Sequence, residues 1–117
     1  MANYEQGQTT NATPLLMHVV SMGTEAGTIQ KEIHWSAFTS ATECANGEAT
    51  LFWAKNEGAS PVVKLNSCDT LYTGYGGALS VTAAVAGNDC QVFATGLAGK
   101  TINWSMLIES ESLVVSP

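Results

Sequence analysis

The sequence predicts an all-β domain, a two-sheet antiparallel β-sandwich of jelly-roll type with seven or eight short strands. Three observations predict it. Apolar side chains recur at every second position in several segments, the spacing that places them on one face of a pleated strand. The same segments are rich in β-branched and aromatic residues. Eleven glycines but only three prolines punctuate the chain, so short segments are separated by turn signals, as in a sandwich rather than a single meander. A small eight-stranded barrel fits the same pattern and is the alternative.

The chain begins MANYEQGQTTNAT, a polar stretch that reads as a flexible arm over residues 1–13, ahead of one domain over 14–117. Leu15 to Met22 is the first strand candidate. Glu32 to Phe38 places Ile33, Trp35 and Ala37 on one face and His34 on the other. Ala49 to Ala54 is apolar and aromatic, bounded by Asn46-Gly47 and Glu57-Gly58. A helix over Ala37 to Ala49 competes locally, but the Thr and Ser residues at its start and Asn46-Gly47 near its end favour a loop. Pro61 to Ser67 sets Val63 and Leu65 together, with Lys64 opposite.

Ala78 to Val85 then aligns Leu79, Val81, Ala83 and Val85. Cys90 to Thr95 follows Gly87-Asn88-Asp89, a hairpin signal. Thr101 to Glu109 is the clearest strand, with Ile102, Trp104, Met106 and Ile108 in strict alternation. Leu113 to Val115 reads as a short edge. Ile33-His34-Trp35-Ser36 and Ile102-Asn103-Trp104-Ser105 echo each other. The match is too short for a duplication and is expected by chance between β-strands, the alternative being adjacent or facing core strands whose indoles fill one layer.

Size and charge bound the function. A chain of 117 residues buries roughly two thirds of its extended surface on folding, enough for one core without staples. Ten acidic residues stand against four lysines (Lys31, Lys55, Lys64, Lys100) and no arginine, for a net charge of -6. Nucleic-acid backbones and anionic lipid demand clustered cations, so neither is an expected partner. The N-terminus lacks a basic segment followed by an apolar one, and no apolar run approaches the roughly 20 residues that span a bilayer. Synthesis in the cytoplasm without a signal peptide is therefore expected, with any location on a virion surface reached through assembly. Without secretion, Asn11-Ala-Thr and Asn103-Trp-Ser are chance glycosylation matches.

Cys44, Cys68 and Cys90 are separated by more than twenty residues each, without the close pairing of a zinc site. They read as small buried hydrophobes, with one disulfide plus a free thiol as the alternative. His18 and His34 are the only imidazoles and both fall inside strands. No G-x-S-x-G elbow accompanies them. Gly99-Lys100-Thr101 fails as a phosphate loop, because Ala94 stands where a glycine is required and a strand follows instead of a helix. Asp69 and Asp89 lie in separate turns and build no calcium loop. No cofactor, metal or enzymatic activity is expected.

Asp69 to Gly77 (DTLYTGYGG) is the least regular stretch. Tyr72 and Tyr75 are amphipathic, and Gly74 and Gly76 allow a backbone to turn sharply or approach a partner, so these four are the candidate contact residues. The expected function is a non-enzymatic structural protein of a repeating assembly, such as a virion or phage surface, decoration or spike component. Such a protein is a homo-oligomer, most simply a trimer, that meets other capsid or tail proteins. The alternative is a soluble module that binds a glycan or a protein through the Tyr72–Tyr75 loop and an exposed indole among Trp35, Trp53 and Trp104.

Overall fold

A computed structural model describes residues 2–115, with side chains described for residues 4–110. It contains eight strands: β1 (Ala2–Thr9), β2 (Leu15–Ser21), β3 (Ala26–Ser40), β4 (Glu43–Lys55), β5 (Val62–Thr73), β6 (Ser80–Ala86), β7 (Asp89–Thr95) and β8 (Ile102–Val115). All pairings are antiparallel. One sheet has five strands in the order β1-β8-β3-β4-β5 and the other has three in the order β2-β7-β6. The expected β-sandwich is thus the fold.

Alternation builds the core. Ile33, Trp35 and Ala37 of β3, Ala49, Leu51 and Trp53 of β4, and Ile102, Trp104, Met106 and Ile108 of β8 are all buried. Val81 of β6 and Cys90, Val92 and Ala94 of β7 close the layer from the smaller sheet. The two I-x-W-S segments are neighbouring strands, with Ile33 opposite Ile108 and Ala37 opposite Trp104. Their indoles lie 5.7 Å apart at 48°, a tilted packing that aromatic quadrupoles favour.

Several strands run longer than expected. Residues 2–9, read as part of an arm, form β1 along β8. Leu113–Val115 is not a separate edge but the end of β8, opposite Ala26–Thr28. The segment after Phe38 stays extended and turns through Ala41–Thr42 into β4. Asn46-Gly47 lies inside β4 and is no break. There Gly47 faces Trp35 across the ladder, and a Cβ on it would come within 2.5 Å of that indole and 2.1 Å of the Asp69 carbonyl oxygen. The glycine is a packing requirement, since the cross-strand ring fills the space a side chain needs.

The β6–β7 turn matches its sequence signal. Gly87 has φ 61° and Ala86 pairs with Asp89, the two-residue geometry with glycine first that suits the twist of a hairpin.

Both open margins of the sandwich are closed by side chains. On one, Gly7 of β1 lies so close to Leu15 and Met17 that a Cβ would approach them to 2.8 and 2.9 Å, and His18 Nδ1 lies 3.4 Å from Glu5 Oε2. On the other, the Val81 N–H donates to Cys68 Sγ at 3.4 Å and the Ala83 N–H to Asn66 Oδ1 at 3.2 Å. These bonds occupy backbone donors that an edge strand otherwise leaves open. Trp53 Nε1 adds a cross-sheet bond to the Ala84 carbonyl at 3.1 Å.

Gly47→Ala is expected to lower unfolding free energy by about 2–3 kcal/mol through overpacking. Gly76→Ala, whose Cβ would meet nothing within 4 Å, should stay within about 0.5 kcal/mol. Urea titration of both variants checks the contrast.

Candidate functional site

The structure separates the two candidate tyrosines. Tyr72 lies near the end of β5, opposite Asn46, and is 60% exposed. Tyr75 is only 7% exposed. Its side chain is held by a bulge: the β3–β4 register shifts between Phe38 and Ser40, leaving Thr39 as the extra residue. The Thr39 hydroxyl donates to the Thr101 carbonyl at 2.7 Å and sits 2.8 Å from the Tyr75 hydroxyl. With the Thr39 proton so engaged, Tyr75 is the donor to Thr39. Tyr75 is thus a clamp between the β3–β4 turn and the loop before β6, and its polar end is spent inside the protein.

Gly74 and Gly76 differ in the same way. The Gly74 N–H donates to the Cys44 carbonyl at 2.7 Å, which places it against β4, whereas Gly76 is open. A cleft of about 380 Å³ lies beside them, lined by Ala45, Thr70, Thr73, Tyr75, Gly77 and Leu79 among others. It offers threonine hydroxyls and apolar walls but no titratable group other than the occupied phenol.

All three indoles are buried, so none is a stacking surface for a ligand. Trp104 Nε1 donates to Thr9 Oγ1 at 3.0 Å, and Gly96 leaves room for that hydroxyl, since a Cβ there would stand 2.5 Å from it. Trp35 Nε1 is buried without a hydrogen-bond partner among the described residues. His34 is exposed and lies 3.5 Å from Glu48, its cross-strand neighbour. Among the described residues no group of three His, Cys, Asp or Glu side chains converges on a metal-sized space.

One chemically unusual pairing lies in the core. Lys31 faces inward from β3, is buried, and donates to Ser110 Oγ at 2.6 Å. Burial holds its ammonium below the ordinary lysine value, with Cys90 acting in the opposite sense. Burial likewise pushes the Cys90 thiol up to about 11, opposed by Lys31. Cys90 is therefore a neutral thiol near neutral pH and a poor nucleophile. Alternation alone gave no warning of Lys31, because a lysine at an inward position breaks the pattern without identifying its partner.

The side chains best placed to meet another molecule lie elsewhere. Val62, Leu65, Leu71 and Tyr72 on β5 are exposed large hydrophobics. Leu71 and Lys64 are the extra residues at two register shifts against β4, and bulges of this kind redirect side chains. On β3, Phe38 is 53% exposed. Its signal was present in the sequence, since it shares parity with His34 and Ser36 and so stands on the polar face.

All three cysteines are free thiols, Cys90 buried and Cys44 and Cys68 half-buried. Alkylation of the native protein should therefore modify Cys44 and Cys68 well before Cys90, which should react only after denaturation; peptide mass spectrometry reads the order. Lys31→Met is expected to stabilise the protein at any pH where Lys31 is protonated in the fold, because it removes a buried ammonium. Below the lowered folded pKa both states bind the proton and the burial penalty is complete. As pH rises through that value toward 10.5, the folded state loses the proton first and the penalty fades. The advantage of Lys31→Met should accordingly shrink in alkaline urea titrations.

No protein-family model and no curated protein matches the chain. Among solved structures it is similar to the tailspike protein of Acinetobacter baumannii phage AM24, with a TM-score of 0.41, 11% identity, and coverage of 98% of this chain and 27% of that one. It is also similar to tailspike protein gp49 of Acinetobacter baumannii bacteriophage Fri1, a capsular polysaccharide depolymerase, with a TM-score of 0.34, 12% identity, and coverage of 97% of this chain and 19% of that one. The chain spans about a quarter and a fifth of the lengths of these two proteins.

Proposed function

We propose that this protein is a non-enzymatic structural component of a repeating assembly, such as a virion or phage surface, decoration or spike component, in which copies associate through β5. The observation that carries this reading is the character of that strand. It is the outer strand of the five-stranded sheet, and Val62, Leu65, Leu71 and Tyr72 all stand exposed along it. Leu71 is 65% exposed. An apolar group of this kind on one margin favours burial against a neighbour.

The composition supports the same reading. Only 12% of residues are charged, so close packing of subunits desolvates few ions. Closed symmetry is the usual outcome when one patch meets another, and a trimer around a shared axis is the simplest form consistent with a spike. Capsid or tail proteins are the proposed further partners, and the virion surface is the proposed location. The Tyr72–Tyr75 loop is less suited to ligand capture, since Tyr75 is turned inward to Thr39.

Light scattering after size exclusion at micromolar concentration should give a multiple of the 12.2 kDa chain mass. Leu71→Asp combined with Leu65→Asp should return the protein to a monomer without altering its circular dichroism. A native protein that stays monomeric overturns the proposal.

A further inference from the structure

The outer face of the five-stranded sheet has a second region, distinct from β5 and on the opposite flank. Gln6 of β1 lies in register with Ser105 of β8, which lies in register with Ser36 of β3. One rung further on, Gln8, Asn103 and Phe38 repeat the arrangement. These six residues line a shallow groove of about 500 Å³. None of the six is charged, although the protein carries a net charge of -6.

The amides in this groove are pre-oriented. Gln8 Nε2 donates to Asn103 Oδ1 at 2.9 Å, and Asn103 Nδ2 donates to the Phe38 carbonyl at 3.4 Å. An amide nitrogen carries two protons and its oxygen two lone pairs. Among the described residues the chain of bonds uses one N–H of each amide, leaving a second N–H on each and the Gln8 carbonyl oxygen available to a ligand. Ser36 and Ser105 add hydroxyls that donate or accept. The Phe38 ring stands exposed at one end. At the diagonal corner, one rung beyond Gln6, Tyr4 is exposed as well. Strand spacing and rise put the backbone positions of these two residues about 17 Å apart.

We propose that this face, over β1, β8 and β3, binds a neutral oligosaccharide. Sugar hydroxyls both donate and accept, which matches amides and serines better than a purely apolar or a charged partner does. The C–H faces of pyranose rings lie flat on aromatic rings, and Phe38 and Tyr4 bracket a span that accommodates several sugar units. Charge selects within the class. Glu32 and Glu109 occupy one rung of this sheet, and Glu48 stands beside His34, so anionic glycans are repelled at the Tyr4 end. The proposal is independent of self-association through β5, since the two regions lie on opposite flanks of the sheet.

The test is a microarray carrying neutral oligosaccharides of glucose, galactose, mannose and N-acetylglucosamine beside sialylated and sulfated ones. Each neutral hit is followed by titration into 15N-labelled protein. The expected result is retention of at least one neutral probe, with shifts in the side-chain amide signals of Gln8 and Asn103. Phe38→Ala, at an exposed position, should weaken that binding about tenfold or more. Leu65→Asp with Leu71→Asp should leave the groove's intrinsic affinity unchanged, which separates this site from the oligomer contact. Retention of no neutral probe overturns the proposal, as does a preference for anionic ones or full binding by Phe38→Ala. Loss of native mass in Phe38→Ala would instead assign the face to a second copy of the chain, and also overturns it.

Discussion

The fold depends on how the Trp35 indole is seated. It leans across the ladder onto Gly47 of β4 and packs on Trp104 of β8 from the other side. One ring thus joins three adjacent strands of the larger sheet. Two large indoles side by side fill a thick layer, and only a residue without a side chain can lie beneath the first of them. The arrangement also strands a polar group, because Trp35 Nε1 has no acceptor among the described residues. Leaving a buried donor unpaired costs about 1–3 kcal/mol, which the aromatic burial must exceed.

The two sheets are unequal, with strands of 13 to 15 residues in the middle of one and of 7 residues in the other. A short sheet laid on a long one leaves margins that need closure. Gly7 lets β1 approach β2, and Cys68 and Asn66 supply acceptors to β6. The same economy governs the surface. β5 departs from regular pairing twice and turns apolar side chains outward, while the groove over β1, β8 and β3 is lined by uncharged side chains. A single sheet face therefore presents two chemically different regions.

Much of this was legible in residue order. The alternation of Ile102, Trp104, Met106 and Ile108 gave the buried face of β8, whereas the echo of its I-x-W-S segment in β3 fitted chance, facing or adjacent strands alike, and the structure makes them adjacent. Gly87-Asn88 announced its turn. Less was legible where a residue has two physical uses. Gly47 has the composition of a turn but serves close packing. Tyr75 has the chemistry of a contact residue but spends its hydroxyl on Thr39. The stretch before Thr10 is mostly polar because an outer strand exposes alternate side chains to water, as Tyr4, Gln6 and Gln8 do, and that composition resembles an unpaired arm.

The sequence by itself determined strand character and, where no bulge intervenes, which side chains turn inward, because pleating links every second residue to the same face. At Lys64 a bulge breaks that link, so Val63 packs on the core while Leu65, expected beside it, turns outward. Only the tertiary structure decided which strands are neighbours, where Lys31 finds Ser110, and that Phe38 shares a groove with Gln8 and Asn103. Those outcomes depend on register between segments distant in the chain. A register is set by the fit of rings, glycines and bulges across strands, and no local pattern records that fit.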